Sequence, residues 1–98
     1  MRMLLKIQIP VETGNAGVKN GALPRVIKGF AEAAKPEAMY FTLDEGMRTV
    51  FAVVDMTSSA EMPKLGEPFF RELNASIDAR PCMNAEDLAA GLKMAGLA

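Results

Sequence analysis

Histidine and tryptophan are absent from this 98-residue chain, and cysteine and tyrosine occur once each. Without an imidazole, a Ser-His-Asp or Cys-His catalytic arrangement and every histidine-ligated metal site are excluded. The single cysteine, Cys82, excludes an intramolecular disulfide and a cysteine-rich zinc site. Any chemistry must therefore use carboxylates, Lys, Arg, Tyr40 or Cys82.

The chain also lacks an excess of charge. Eleven basic and twelve acidic side chains give a net charge of -1, so we expect neither a nucleic-acid partner nor a membrane partner. The N-terminal apolar stretch is interrupted by Lys6, Gln8 and Pro10, which argues against a signal peptide. The apolar stretch at residues 50–54 is far too short to span a bilayer. These patterns predict a soluble, cytoplasmic protein.

The composition of the chain is that of one ordinary folded domain. Half of the residues are hydrophobic and 23% are charged, which is typical of a globule. No repeat or linker divides the chain, so residues 1–98 are predicted to form a single domain. A domain of this size buries only roughly 60 to 65% of its unfolded surface, and oligomerisation is a natural source of further burial.

Four segments alternate apolar and polar residues, which predicts strands over residues 3–9, 38–43, 49–56 and 77–83. The second and third are joined by a short turn at residues 44–47, so they are expected to form a hairpin. Between the first two strands, Pro24 suits the first turn of a helix that runs to about Ala34. Residues 14–21 are rich in Gly and Asn and predict a flexible connection.

Two further helices are predicted in the second half of the chain. Ser58 and Glu61 have the spacing of a capping box, which places a helix start near Ser59. Pro68 is expected to kink or restart this helix, and Phe69 and the following phenylalanine are expected to anchor it in the core. Residues 84–87 have the composition of a helix start, and they predict a short terminal helix.

The resulting order is β-α-β-β-α-β followed by a helix. It predicts an α+β fold, a ferredoxin-like βαββαβ sandwich with a C-terminal helix, sheet order 4-1-3-2 and both main helices on one face.

Alternation also divides the strand residues between two faces of the sheet. One face is almost free of polar atoms and is expected to lie under the helices; it contains Met3, Leu5, Ile7, Ile9, Met39, Phe41, Leu43, Val50, Ala52, Val54, Met56, Ile77 and Ala79. The other face mixes apolar and charged side chains; it contains Leu4, Lys6, Gln8, Tyr40, Thr42, Phe51, Val53, Asp55, Asp78, Arg80 and Cys82. An exposed patch of this kind marks an interaction site.

If two copies pack these mixed faces together, an isologous homodimer closes a barrel. The candidate binding residues of the barrel interior are then Lys6, Gln8, Tyr40, Phe51, Asp55 and Arg80. The plainer interpretation is that the polar members pair with one another at the interface or at its wet rim. Lys6 and Asp55, on neighbouring strands, are expected to form an ion pair.

Several short motifs resemble those of a known group of proteins. The motifs are residues 10–15 (PVETGN), 36–41 (PEAMYF), 53–56 (VVDM) and 67–70 (EPFF). They are similar to a family of small uncharacterised bacterial proteins in the dimeric α+β barrel superfamily, whose ferredoxin-like subunits pair sheet to sheet. That superfamily includes muconolactone isomerase and cofactor-independent monooxygenases of antibiotic biosynthesis. The resemblance implies an architecture, and no catalytic residue is transferred, since fold does not determine function.

Three functions are compatible with these features. The first is a non-enzymatic homodimer that binds a small apolar or aromatic molecule between its sheets. The second is a cofactor-free isomerase or oxygenase acting on an activated ring compound through Lys6, Tyr40, Asp55 and Arg80. The third is a face that binds a different protein. No cofactor or metal is expected, because the paired carboxylates at residues 44–45 and 86–87 fall at a turn and at a helix start.

Overall fold

The computed structural model describes residues 1–97 and contains one four-stranded antiparallel sheet with four α-helices. The elements are β1 (Arg2–Ile9), α1 (Val11–Asn20), α2 (Ala22–Ala34), β2 (Ala38–Asp44), β3 (Met47–Asp55), a 3-10 turn (Ser59–Glu61), α3 (Met62–Leu73), β4 (Ser76–Pro81) and α4 (Ala85–Met94). The strand order is β2-β3-β1-β4, which confirms the predicted order 4-1-3-2. This α+β arrangement is compatible with a ferredoxin-like fold.

The core lies between one face of the sheet and the helices α1, α2 and α3. It contains Met3, Leu5, Ile7, Ile9, Ala22, Val26, Phe30, Val50, Ala52, Val54, Met56, Phe69, Leu73 and Ala75. The rings of Phe30 on α2 and Phe69 on α3 meet edge to face, with centroids 5.5 Å apart, a favourable arrangement for aromatic pairs. The predicted burial is therefore confirmed for the two central strands, β1 and β3.

The two edge strands depart from the predicted burial. Phe41 and Leu43 on β2 point to the helix side of the sheet, yet Leu43 is 76% exposed. Ala79 on β4 is also exposed, and Ile77 is only partly buried. Alternation identifies which side of a sheet a residue faces, but it does not show how far the helix layer extends. Here the helices cover the centre of the sheet and leave parts of both edges open.

Helix α1 replaces the predicted flexible connection. Its glycines would disfavour an isolated helix, but two of them are buried against neighbouring elements. A Cβ atom on Gly14 would lie 3.3 Å from Ile9 Cγ2, and one on Gly17 would lie 2.9 Å from Leu73 Cδ2. At Gly17 tertiary packing therefore favours glycine, because an added Cβ would collide with the fully buried Leu73. At Gly14 the nearest atom is Arg48 Nη1 at 2.5 Å, which is the end of a flexible side chain and can move aside.

Substitution of Gly17 tests this explanation. We expect Gly17→Ala to lower the free energy of unfolding by roughly 1 to 3 kcal/mol, since overpacking outweighs the gain in helix propensity. The matched control is Gly29→Ala on α2, where an added Cβ meets nothing within 4 Å and should stabilise the protein by up to about 1 kcal/mol. Urea unfolding of both variants gives the comparison, and two shifts of equal sign would contradict the packing argument.

The predicted capping box is present before α3. The Ser58 hydroxyl accepts a hydrogen bond from the Ala60 amide, and the Glu61 carboxylate accepts one from the Ser58 amide. Backbone donors at Ser58 and Thr57 hold the pKa of Glu61 below its ordinary value, because they stabilise the carboxylate. The first turn at Ser59–Glu61 is a 3-10 turn, which leads directly into α3.

Helix α3 does not restart at Pro68, one of the two outcomes predicted there, since it runs through this residue to Leu73. Proline removes the hydrogen bond to the residue four positions earlier. That residue is Lys64, which is exposed, so its carbonyl can be solvated. The pair of phenylalanines that follows is divided: Phe69 is fully buried, whereas Phe70 is 43% exposed and is not the core anchor that was expected.

Candidate functional site

The candidate site is the face of the sheet opposite α1, α2 and α3, which we call the open face. Antiparallel register places its residues in rows across the four strands. One row contains Tyr40, Phe51, Lys6 and Asp78 in that order. The structure therefore brings three of the predicted site residues into line across strands that are distant in sequence, two of them aromatic.

Lys6 does not direct its ammonium group into the middle of the open face. Its Nζ lies 2.5 Å from Asp44 Oδ2 and 3.9 Å from Glu45 Oε1, at the turn between β2 and β3. Gln8 reaches the same place and donates a hydrogen bond from Nε2 to the Asp44 carbonyl at 3.2 Å. Both side chains start on β1 and cross β3, so they bend along the sheet toward one end.

Thr49 lies beneath these crossing side chains. In the register it occupies the β3 position midway between Lys6 and Asp44, and it is only 1% exposed. Its hydroxyl donates to the Met47 carbonyl at 3.1 Å, so the buried polar group has a partner, as such groups require. The methylene stems of the lysine and glutamine thus cover part of the open face, as long polar side chains often do.

The prediction of an ion pair between Lys6 and Asp55 is wrong. Asp55 lies at the far end of β3, where Oδ1 is 2.9 Å from the amino group of Met1. The hydrogen bond with Asp44, reinforced by its negative charge and that of Glu45, raises the pKa of Lys6 above its ordinary value. Lys6 therefore stays charged, which makes it a poor proton acceptor.

Arg80 also has a local partner. Its guanidinium lies 2.5 Å from Asp78 Oδ2 on the same strand, and β4 is an edge of the sheet. Asp55 and Arg80 therefore lie at the periphery of the open face, apart from the row that contains Lys6, Tyr40 and Phe51. The charged groups near this face are paired at its ends and edge.

The centre of the open face is apolar. Leu4, Phe51 and Val53 lie on the two central strands and are half-buried. Tyr40, beside Phe51 on the edge strand β2, is 71% exposed. An apolar centre with paired charges around it has the composition of a protein interface, where charged residues are depleted in the middle and concentrated at the rim.

Arg2 is a member of the open face that the sequence analysis did not single out. Its guanidinium lies 2.5 Å from Glu37 Oε1 and 2.5 Å from Asp87 Oδ2. The hydrogen bond with Glu37 and the nearby acidic charges raise the pKa of Arg2. A signal was available, because Arg2 continues the alternation of Leu4, Lys6 and Gln8 along β1.

A cleft of about 720 Å³ surrounds Arg2 at the end of the sheet where α4 begins. It is lined by Met1, Arg2, Glu37, Asp55, Pro81, Cys82, Met83 and Asp87. Arg2 joins the start of β2 to the start of α4 across this cleft. The arrangement orients α4 relative to the open face.

Residues 1–97 contain neither a cluster of metal ligands nor a helix that could cross a membrane. No three Cys, Asp or Glu side chains in this range come together in a way that would hold a metal ion. The adjacent carboxylates noted in the sequence have structural partners, since Asp44 pairs with Lys6 and Asp87 caps α4 through Asn84. In the same range, none of the helices has both the length and the apolar character needed to cross a bilayer.

Comparison with known proteins does not add a functional assignment. No family model matches the chain, and no curated protein sequence matches it significantly.

Proposed function

We propose that the protein is a cytoplasmic homodimer whose two subunits pack their open faces together, and that the enclosed space binds a small apolar or aromatic molecule. The observation that carries this proposal is the division of the open face into an apolar centre and a charged periphery. Leu4, Phe51 and Val53 occupy the centre, whereas Lys6 bends away from it to reach Asp44.

The dimer is supported by the free-energy cost of leaving the open face in contact with water. An open face in water would leave Tyr40, Leu4 and Phe51 in one hydrated apolar patch, and burial of such surface is favourable by about 25 cal/mol per Å². An antiparallel sheet with one helix-covered face can pair its second face with another sheet. A two-fold arrangement needs only one self-complementary surface, which this face provides.

The ligand is supported by the row that contains Tyr40, Phe51 and Lys6. Two aromatic rings on adjacent strands offer a flat apolar surface, which suits a ring-shaped molecule. The Lys6 ammonium lies at the margin, where Asp44 and Glu45 already neutralise it, so a neutral ring-shaped molecule suits this surface. Sites of this kind combine a mainly apolar lining with a few polar groups that set orientation.

The test has two parts. Light scattering on a sizing column at low micromolar concentration should give twice the 10.5 kDa chain mass. Nuclear magnetic resonance titration with indole, a neutral aromatic probe, should then show binding at the open face. We expect Tyr40→Ala to weaken indole binding by roughly tenfold, in line with the loss of an aromatic contact.

Phe41→Ala is the matched control, because Phe41 is the next residue on β2 and faces the opposite side of the sheet. It should leave indole binding unchanged. A monomer at micromolar concentration would contradict the dimer and direct attention to a different partner protein. A dimer that does not bind indole, or in which both variants have equal effects, would contradict the aromatic site alone.

The alternative of a cofactor-free isomerase or oxygenase receives less support from the same geometry. Such a reaction needs a proton acceptor near the ring, but Lys6 is held protonated by Asp44. Asp55, the other predicted participant, pairs with the amino terminus at the end of β3. Turnover that is abolished by Tyr40→Phe and by Asp55→Asn would favour the enzyme over the binding protein.

A further inference from the structure

Helix α4 has an apolar stripe that no other element within residues 1–97 covers. Every residue of the helix is exposed, including Leu88 at 48% and Leu92 at 39%. These leucines are one turn apart and lie on the same side of the helix. A ten-residue helix is marginally stable in water by itself, so this stripe is expected to pack against another surface.

A groove on the helix side of the sheet offers a surface of the matching character. It lies between α3 and the edge strand β4 and has a volume of about 310 Å³. The groove is lined by eleven residues, among them Leu5, Phe30, Met62, Glu67, Phe70 and Ile77. All except Glu67 are non-polar, and Leu5 and Phe30 belong to the core. The groove therefore exposes part of the hydrophobic core along an edge of the sheet.

The helix and the groove of one chain lie on opposite sides of its sheet. Arg2 is on the open face, and its contact with Asp87 fixes the start of α4 on that side. The groove is on the other side, under α3. In a dimer that packs open face to open face, the start of α4 therefore lies on the side of the second copy, and β4 of that copy is an edge around which a helix can pass.

The charges of the two surfaces are complementary. Glu67 is the acidic residue in the groove, and it forms no ion pair within residues 1–97. Lys93, next to Leu92 on α4, is also unpaired within that range. A leucine stripe placed in the groove with its flanking lysine at the rim would bring these two charges together.

We propose that α4 of one copy lies in the groove between α3 and β4 of a second copy, with Leu88 and Leu92 in the groove and Lys93 beside Glu67. The inference rests on the proposed dimer, because it requires the second copy on the open-face side. Each subunit would give one helix and receive one, as two-fold symmetry requires.

Disulfide trapping between two differently tagged chains tests the contact. Both chains carry Cys82→Ser; one also carries Leu92→Cys and the other Met62→Cys, which places one thiol on α4 and one in the groove. After mixing and mild oxidation, we expect a cross-linked species that contains both tags. The matched control replaces Met62→Cys with Val18→Cys, since Val18 is an exposed apolar residue on α1 outside the groove, and it should cross-link far less.

Cross-linking equal to that of the control would overturn the proposal. A chain that carries both Leu92→Cys and Met62→Cys and closes on itself without doubling its mass would overturn it too, because the helix would then fill its own groove. The mass of the Cys82→Ser parent separates the two proposals: a dimer with no trapping contradicts only the helix contact, whereas a monomer contradicts the sheet-to-sheet dimer.

Charge reversal gives a second measurement that does not depend on thiols. Glu67→Lys and Lys93→Glu should each weaken dimerisation by roughly two- to fivefold, the effect of an exposed ion pair. The double variant should recover most of the loss, because the pair is restored with its charges exchanged. Additive effects in the double variant would show that these two residues do not meet.

Discussion

Phe51→Asp is expected to convert the proposed dimer to a monomer of 10.5 kDa at low micromolar concentration. Phe51 lies between Tyr40 and Lys6 in the row across the open face. Lys6 is already paired with Asp44 and Glu45, so an aspartate at position 51 would add an uncompensated negative charge to a sheet-to-sheet interface. An unpaired buried charge costs several kcal/mol, and about 3 kcal/mol corresponds to roughly a hundredfold weaker association. Sedimentation equilibrium over a range of concentrations measures this change.

Two further variants make the result specific. Tyr40→Asp adds a charge to the same row at a more exposed position, so it should disrupt the dimer without affecting the fold of the monomer. Val18→Asp adds the same charge to exposed α1, on the helix side, and should leave the dimer intact. Circular dichroism confirms that each variant is folded. A folded Phe51→Asp or Tyr40→Asp dimer would show that the open face is not the interface.

Phe69→Ala is expected to lower the free energy of unfolding by roughly 3 to 5 kcal/mol, the usual loss when a buried phenylalanine is truncated. Phe69 is 0% exposed and contacts Phe30 edge to face. A domain has only about 5 to 15 kcal/mol of stability in total, so the loss should be evident in urea unfolding. Because unfolding of a dimer depends on concentration, the variants are compared at one chain concentration.

The neighbouring phenylalanine supplies the control. Phe70 is 43% exposed, and Phe70→Ala should cost about 1 kcal/mol or less at a concentration where the protein is monomeric. The contrast tests the assignment of Phe69 to the core between sheet and helices. Equal losses of unfolding free energy for the two variants would contradict the orientation of α3, in which Phe69 faces the core and Phe70 does not.

The strands were predictable because alternation is a local property. Each of β1 to β4 was anticipated within a few residues, and the buried sides of β1 and β3 were assigned correctly from the period of two. The order of elements then favoured one strand order, which the structure has. These predictions succeeded because neighbouring residues along the chain carry the information.

Helix α1 was not predictable in the same way. Considered alone, its glycines favour a loop. They suit a helix here because Gly14 lies close to Ile9 and Gly17 lies close to Leu73, and these contacts form only when the chain folds. The direction of the Lys6 side chain was also not predictable, because its partner Asp44 lies two strands away and at another level of the sheet. Neither contact has a local signature.

The sequence by itself determined the absence of histidine chemistry, the α+β pattern, the strand order and a second sheet face of mixed character. Only the tertiary structure decided that the charges of that face pair at its margins, that Arg2 holds the start of α4, and that a groove stays open beside β4. The reason is physical: periodicity assigns a side chain to a face, whereas its contacts depend on which distant elements the fold brings together.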